Sequence, residues 1–201
     1  MAISRADFFA LTGLNTDTHT ALKRRGLIPV ENQADRTYTA FEALAFNLSD
    51  RLAAGPDGHN MGRGMACGIV RDCAKLLIER ADDIDATAAP FIGGAALEGG
   101  AEKILAGRLI LGGMKGHRPF VGTPAELATE FACEWIVDVM LTDVTTARLV
   151  LQRRAEGAGV DLASLWPNAA SVPSFEEIAA ERRKSWAEAM ERVNARRRGD
   201  A

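Results

Sequence analysis

Two runs near the N-terminus decide how this chain is read: Ser4-Arg-Ala-Asp-Phe-Phe-Ala-Leu-Thr-Gly13 and Leu14-Asn-Thr-Asp-Thr-His-Thr-Ala-Leu-Lys-Arg-Arg25, followed by Gly26-Leu-Ile-Pro29. Ser4 with Asp7 three residues on has the form of a capping box, and Gly13 suits the left-handed position that ends a helix. Asn15 or Thr16 caps a second helix, with Ala21 and Leu22 inward and Thr18, Lys23, Arg24 and Arg25 outward. Gly26 ends that helix, and Pro29 prevents it from resuming. After a polar loop, Arg36-Thr-Tyr38 alternates like one strand of a small wing. Thr39 with Glu42 opens a third helix that carries Phe41, Leu44, Ala45 and Leu48 at helical spacing.

Working outward, Gly55-Pro-Asp-Gly58 is a strong break and the expected domain boundary. Residues 1–55 form the N-terminal module and residues 60–201 a second unit. Met61 to Ile84 has the apolar spacing of one long amphipathic helix, through Met65, Ile69, Val70, Cys73, Leu76, Leu77 and Ala81. Short strands are expected at Phe91–Leu97, Arg108–Gly112, Phe120–Gly122 and, most strongly, Trp135–Leu141. Short helices are expected at Ala101–Ala106 and from Pro124 to about Phe131, where Thr123, Pro124 and Glu126 form a helix start. Asp143 or Thr142 caps a helix that ends near Gly157 and Gly159. Ser174 with Glu177 opens a last helix to about Arg198, with Phe175, Ile178, Ala179, Trp186, Met190 and Val193 on one stripe. The predicted fold class is mainly α with a small β component: a winged helix-turn-helix joined to an α+β dimerisation or effector domain.

Nearly half of the 201 residues are apolar and a quarter are charged, as in an ordinary globular chain. The net charge is −3, and even the first fifty residues are not net basic, so nucleic-acid affinity must come from local contacts. Cys67, Cys73 and Cys133 have no metal-ligand spacing, which suits reduced thiols in a cytoplasmic protein. No stretch reaches the roughly 18 apolar residues of a membrane span, and the N-terminus lacks the form of a signal peptide.

The order helix, turn, helix, Gly-Leu-Ile-Pro, loop, Arg-x-Tyr-Thr, helix resembles the DNA-binding domain of the MerR family of transcriptional regulators. The resemblance covers about the first fifty residues. It rests on Gly13-Leu14, on Arg24-Arg-Gly-Leu27 and on Arg36 and Tyr38 before the third helix. It implies a recognition helix whose first turns meet base edges. Asn15, Thr16, Thr18 and Thr20 are then candidates for base or phosphate contact, as is His19 if it points outward. Lys23, Arg24 and Arg25 would neutralise phosphates, while Arg36 and Tyr38 belong to the wing. The family has Ile-Arg-x-Tyr where this chain has His19-Thr-Ala-Leu22, so Thr20 stands at an arginine position. No cysteine lies where metal-sensing members carry theirs.

Other chemistry is thinly represented. His59 and His117 have no cysteine or acidic partner at ligand spacing, and the glycine pairs fit no phosphate-loop motif. Met114 to Pro119 reads as a basic hairpin tip. No cofactor, metal or enzyme activity is expected. The expected function is a sequence-specific DNA-binding regulator acting as a homodimer, with double-stranded DNA and RNA polymerase as partners. The helix from Met61 to Ile84 and the last helix would supply the dimer contact. The alternatives are a DNA-recognition protein similar to phage terminase small subunits, or a ligand-sensing or protein-interaction module. A deep pocket lined by Trp135, Arg108 and His117 would support the last of these.

Overall fold

The computed structural model describes residues 2–30, 38–54, 62–92, 110–114, 119–130, 139–163 and 165–198. β1 (Ala2–Ile3) precedes α1 (Arg5–Thr12) and α2 (Thr16–Arg24), and pairs antiparallel with β2 (Tyr38–Thr39), setting Ile3 opposite Tyr38. α3 (Ala40–Ala54) follows at once. Its capping box is formed: the Thr39 N–H donates to Glu42 Oε2 at 2.6 Å, and the Glu42 N–H donates to Thr39 Oγ1 at 3.1 Å.

α3 is the centre of the molecule. Ala40, Phe41, Ala43, Leu44, Ala45, Phe46, Leu48 and Leu52 are buried, and so are the polar Glu42, Asn47 and Ser49. A helix that is apolar nearly all round must be enclosed by neighbours. α3 is enclosed by α1, by α4 (Arg63–Asp72) and by α8, described below.

The expected helix from Met61 to Ile84 is three: α4, α5 (Ala74–Glu79) and α6 (Ala81–Ile92). Cys73 and Arg80 are the single-residue breaks. Hydrogen bonds of helical spacing still span them, from the Cys73 N–H to Ile69 O, from Leu77 N–H to Cys73 O and from Ile84 N–H to Arg80 O. The apolar stripe therefore survives the breaks: Ala66, Val70, Cys73, Leu77, Ile78 and Ile84 are buried in the chain's own core. Met65, expected on that face, is half exposed. α6 also takes Phe91 and Ile92, which corrects the start of the strand expected at Phe91–Leu97. The alanine-rich run Ala86 to Ala89 favours helix more strongly than two apolar residues favour strand.

β3 (Ile110–Met114) is the middle strand of an antiparallel sheet, between β4 (Pro119–Gly122) and β5 (Val139–Asp143). Leu111 lies opposite Val121 on one side and Thr142 on the other. α7 (Pro124–Glu130) follows β4, starting at the Pro124 that the sequence marks. The strongest expected strand, Trp135–Leu141, overlaps β5 at Val139 to Leu141, while Trp135 to Asp138 lie outside the described residues, as do the expected helix at 101–106 and the loop at 115–118.

Asp143 caps α8 (Val144–Ala158) by accepting from the Thr146 N–H at 2.8 Å. The buried face of α8, with Val144, Ala147, Leu151 and Ala155, packs on α1, α3 and α6. The last helix, α9 (Phe175–Arg198), opens with the expected box between Ser174 and Glu177. Its stripe is not enclosed. Ile178 is buried, but no described residue beyond it is, and Trp186, Met190 and Val193 are 69%, 40% and 41% exposed.

The chain is thus mainly helical with a small sheet. One hydrophobic core takes Phe8, Leu11, Leu44 and Leu48 together with Val70, Leu77, Ile84, Leu151 and Leu165, so residues on both sides of the expected boundary near residue 55 contribute to it. Among the described residues, no helix is long and apolar enough to cross a membrane.

Candidate nucleic-acid interface

The local chemistry of the first 26 residues sets up a helix, a tight turn and a second helix. Ser4 and Asp7 exchange side-chain and backbone bonds at the start of α1. Gly13 ends α1 at φ 74°, with its N–H donating to Phe9 O at 2.8 Å. An L-residue resists that conformation, and glycine does not. Thr12 tightens the same turn, donating from Oγ1 to Phe8 O and accepting from the Leu14 N–H. Asn15 then caps α2, its Oδ1 accepting from the Thr18 N–H at 2.8 Å.

The segments that flank α2, the end of α1 and the run after Gly26, are held by residues from distant parts of the chain. At the turn, the Leu11 carbonyl accepts from Arg154 Nη1 at 3.0 Å and from Asn47 Nδ2 at 3.2 Å. Past the other end, Arg71 donates to the carbonyls of Pro29 and Ile28 at 3.0 and 3.1 Å, and the Cys67 thiol donates to Leu27 O. These are carbonyls at or beyond helix ends, which lack partners within the helix. Burial pushes the Cys67 thiol up from its ordinary value, which favours the protonated form that donates to Leu27 O.

The inner face of α2 is His19 and Leu22, both buried. His19 does not point outward. Its ring sits 5.5 Å from Phe8, 5.7 Å from Phe9 and 5.6 Å from Tyr38, centre to centre, and Phe8 and Tyr38 are 4.6 Å apart. His19 and Tyr38, both candidates for DNA contact in the sequence, are therefore members of an aromatic cluster. The reason is geometric: the rings of Phe8 and Phe9 from α1 and of Tyr38 from β2 all lie within 6 Å of the His19 ring. Tyr38 is half-buried there.

The outer face carries the rest. Asn15, Thr16, Thr18, Lys23, Arg24 and Arg25 are exposed, and Thr20 is half-buried. Arg36 lies outside the described residues. The threonines occupy the first turns of α2 and the cations its last turn and cap, where positive charge also complements the helix dipole. The fastening residues Arg71, Arg154 and Asn47 carry no local signal in the sequence. The two arginines reach carbonyls 42, 43 and 143 residues away, and only the folded chain brings them together.

Trp135, Arg108 and His117, which would have marked a ligand pocket, lie outside the described residues. Among the described residues, no three or more His, Cys, Asp or Glu side chains gather as a metal-binding group. No family model matches the chain, and no curated protein or solved structure matches it.

Proposed function

We propose that the chain is a sequence-specific DNA-binding regulator that works as a homodimer, with α2 as the helix that enters the major groove. One observation carries the reading: α2 buries His19 and Leu22 while Thr16, Thr18, Lys23, Arg24 and Arg25 stay exposed, and it lies between the end of α1, bonded by Arg154, and a following segment bonded by Arg71. The major groove admits an α-helix, and hydroxyl side chains in its first turn meet base edges there. The cations at the far end of α2 meet phosphates, which fix position and supply the salt-dependent part of affinity.

A single module with so few cations binds weakly, and two copies raise the effective concentration of one for the other's half-site. α9 is the element suited to pair them. Its exposed Met190 and Val193 stand three residues apart on one helical face. The α4–α6 stripe, the other expected dimer contact, is already covered within the chain.

Selection of bound sequences from random double-stranded DNA tests the reading. It expects enrichment of one motif, present twice at a fixed spacing of about one helical turn or a multiple. Recovery of unenriched DNA would reject it.

A further inference from the structure

α9 is fastened near its start, where Ile178 is buried and Arg182 donates to both carboxylate oxygens of Asp72 on α4 at 2.6 and 3.0 Å. From Arg182 to its end at Arg198 it extends about 24 Å, at 1.5 Å per residue. Its direction past Arg182 is set by what it lies beside. Ile178, Arg182, Ser185 and Ala189 line one wall of a groove, and Lys23 and Gly26, at the end of α2, line the other. Those four residues of α9 follow one another at spacings of four, three and four, which is one face of a helix. The same series continues into Arg192 and Arg196. The face of α9 turned to the end of α2 therefore becomes cationic beyond the groove.

These two arginines are exposed, and among the described residues neither has a carboxylate within ion-pair distance. Even Glu188, one turn before Arg192, is not paired with it. After Glu191 the helix carries no further carboxylate, while Arg192, Arg196, Arg197 and Arg198 follow. Arg24 and Arg25 at the end of α2 are exposed and without ion pairs in the same way. Two clusters of uncompensated arginine thus belong to elements that meet along one groove.

We propose that Arg192 and Arg196 make a second phosphate contact with double-stranded DNA, beside the contact made by the end of α2. The inference rests on the DNA-binding reading of α2 and adds a second element to it. Arginine suits the task because its guanidinium keeps its charge and matches phosphate oxygens in pairs. The two arginines lie roughly 100° around the helix from Met190 and Val193, so α9 can pair two copies on one face and meet DNA on the next. Phosphate contacts fix position without reading sequence. The α9 contact therefore adds affinity and leaves the choice of site to α2.

Salt titration of binding to the selected duplex tests this on the full chain. It compares the parent with Arg192→Ala/Arg196→Ala and with the control Arg183→Ala/Lys184→Ala, which removes the same charge from other faces of α9. Arg192→Ala/Arg196→Ala should make the log–log salt slope shallower by about 1.8, at 0.9 for each phosphate, so that its deficit in affinity shrinks about tenfold from 50 to 200 mM salt. Its selected motif, circular dichroism spectrum and sedimentation should match the parent. The control should keep the parent slope. An unchanged slope for Arg192→Ala/Arg196→Ala overturns the proposal, and so does an equal shift in both variants, which marks a general effect of charge. Loss of the dimer together with affinity also overturns it, because the arginines then act through pairing. If the parent selects no motif and binds no duplex, the DNA reading fails and this contact with it. If the parent selects DNA but the slope ignores Arg192 and Arg196, the α9 contact alone falls.

Discussion

Arg154 and Leu11, 143 residues apart, meet at the turn between α1 and α2: Arg154 Nη1 donates to the Leu11 carbonyl at 3.0 Å. The same nitrogen donates to Asn47 Oδ1 at 3.0 Å, so one guanidinium joins α8, α3 and the end of α1. The turn that orients α2 is therefore part of the main body of the molecule. Arg154→Met should cost roughly 1.5 kcal/mol, the low end for bonds to a charged group, because Asn47 Nδ2 still serves the Leu11 carbonyl. Thermal unfolding should show a fall of about 3–6 °C. DNA affinity should fall with it, since α2 loses its orientation; a variant as stable as the parent would remove Arg154 from this role.

Gly13→Ala separates backbone strain from crowding. A Cβ at Gly13 meets the Arg154 guanidinium at 3.8–3.9 Å, an ordinary contact. The cost is then that of a left-handed φ of 74°, about 1–2 kcal/mol. Chemical denaturation should show that loss with little change in the denaturant slope. A neutral Gly13→Ala would mean that the turn is not held in this conformation.

The hinge between α5 and α6 predicts an acid effect. Arg80 donates to both oxygens of Glu126 at 3.1 Å, and the Thr123 N–H donates to Glu126 Oε2 at 2.7 Å. The Arg80 guanidinium, then the Thr123 amide, hold the Glu126 carboxyl below the usual carboxylate range. A folded-state pKa below the unfolded one gives stability that is complete above the ordinary pKa of about 4.3 and is lost as the pH falls through the lower, folded value. Glu126 is 48% exposed, so screening limits the effect to about 0.5 kcal/mol. Glu126→Gln should melt below the parent at pH 7, and the gap should close as the pH falls below the ordinary carboxylate range. A gap that persists at low pH would contradict the linkage.

Pairing through α9 is open to a direct check. Met190→Asp with Val193→Asp places charge on a stripe that is 40% and 41% exposed in the single chain. Monomer stability should hold to within about 0.5 kcal/mol, as at other surface positions. Sedimentation should shift from dimer to monomer, and binding to paired half-sites should weaken while binding to one half-site is unchanged. Dimers that survive the double substitution would place the contact elsewhere.

The parts of this fold legible in the sequence are those decided within four residues. The boxes at Ser4 and Asp7, Thr39 and Glu42, and Ser174 and Glu177 all form, as do the caps at Asn15 and Asp143 and the left-handed Gly13. The rest is settled at a distance. Cys73 and Arg80 interrupt the helix, not the apolar stripe, where Cys73 Sγ meets Phe120 O and Arg80 meets Glu126, partners 47 and 46 residues away. His19 has the period of either face of α2, and only Phe8, Phe9 and Tyr38 decide that it turns inward. The polar outer surface of α2 is readable from Thr16 to Arg25; the arginines that bond the segments on either side of it are not.

Whether α2 is the helix that meets DNA is decided by the salt dependence of DNA affinity, measured on the selected DNA for the parent and for Lys23→Ala/Arg24→Ala/Arg25→Ala. The triple variant should bind every duplex more weakly, with a log–log salt slope shallower by about 0.9 for each phosphate it no longer neutralises. An unchanged affinity with an unchanged slope would show that α2 does not face DNA.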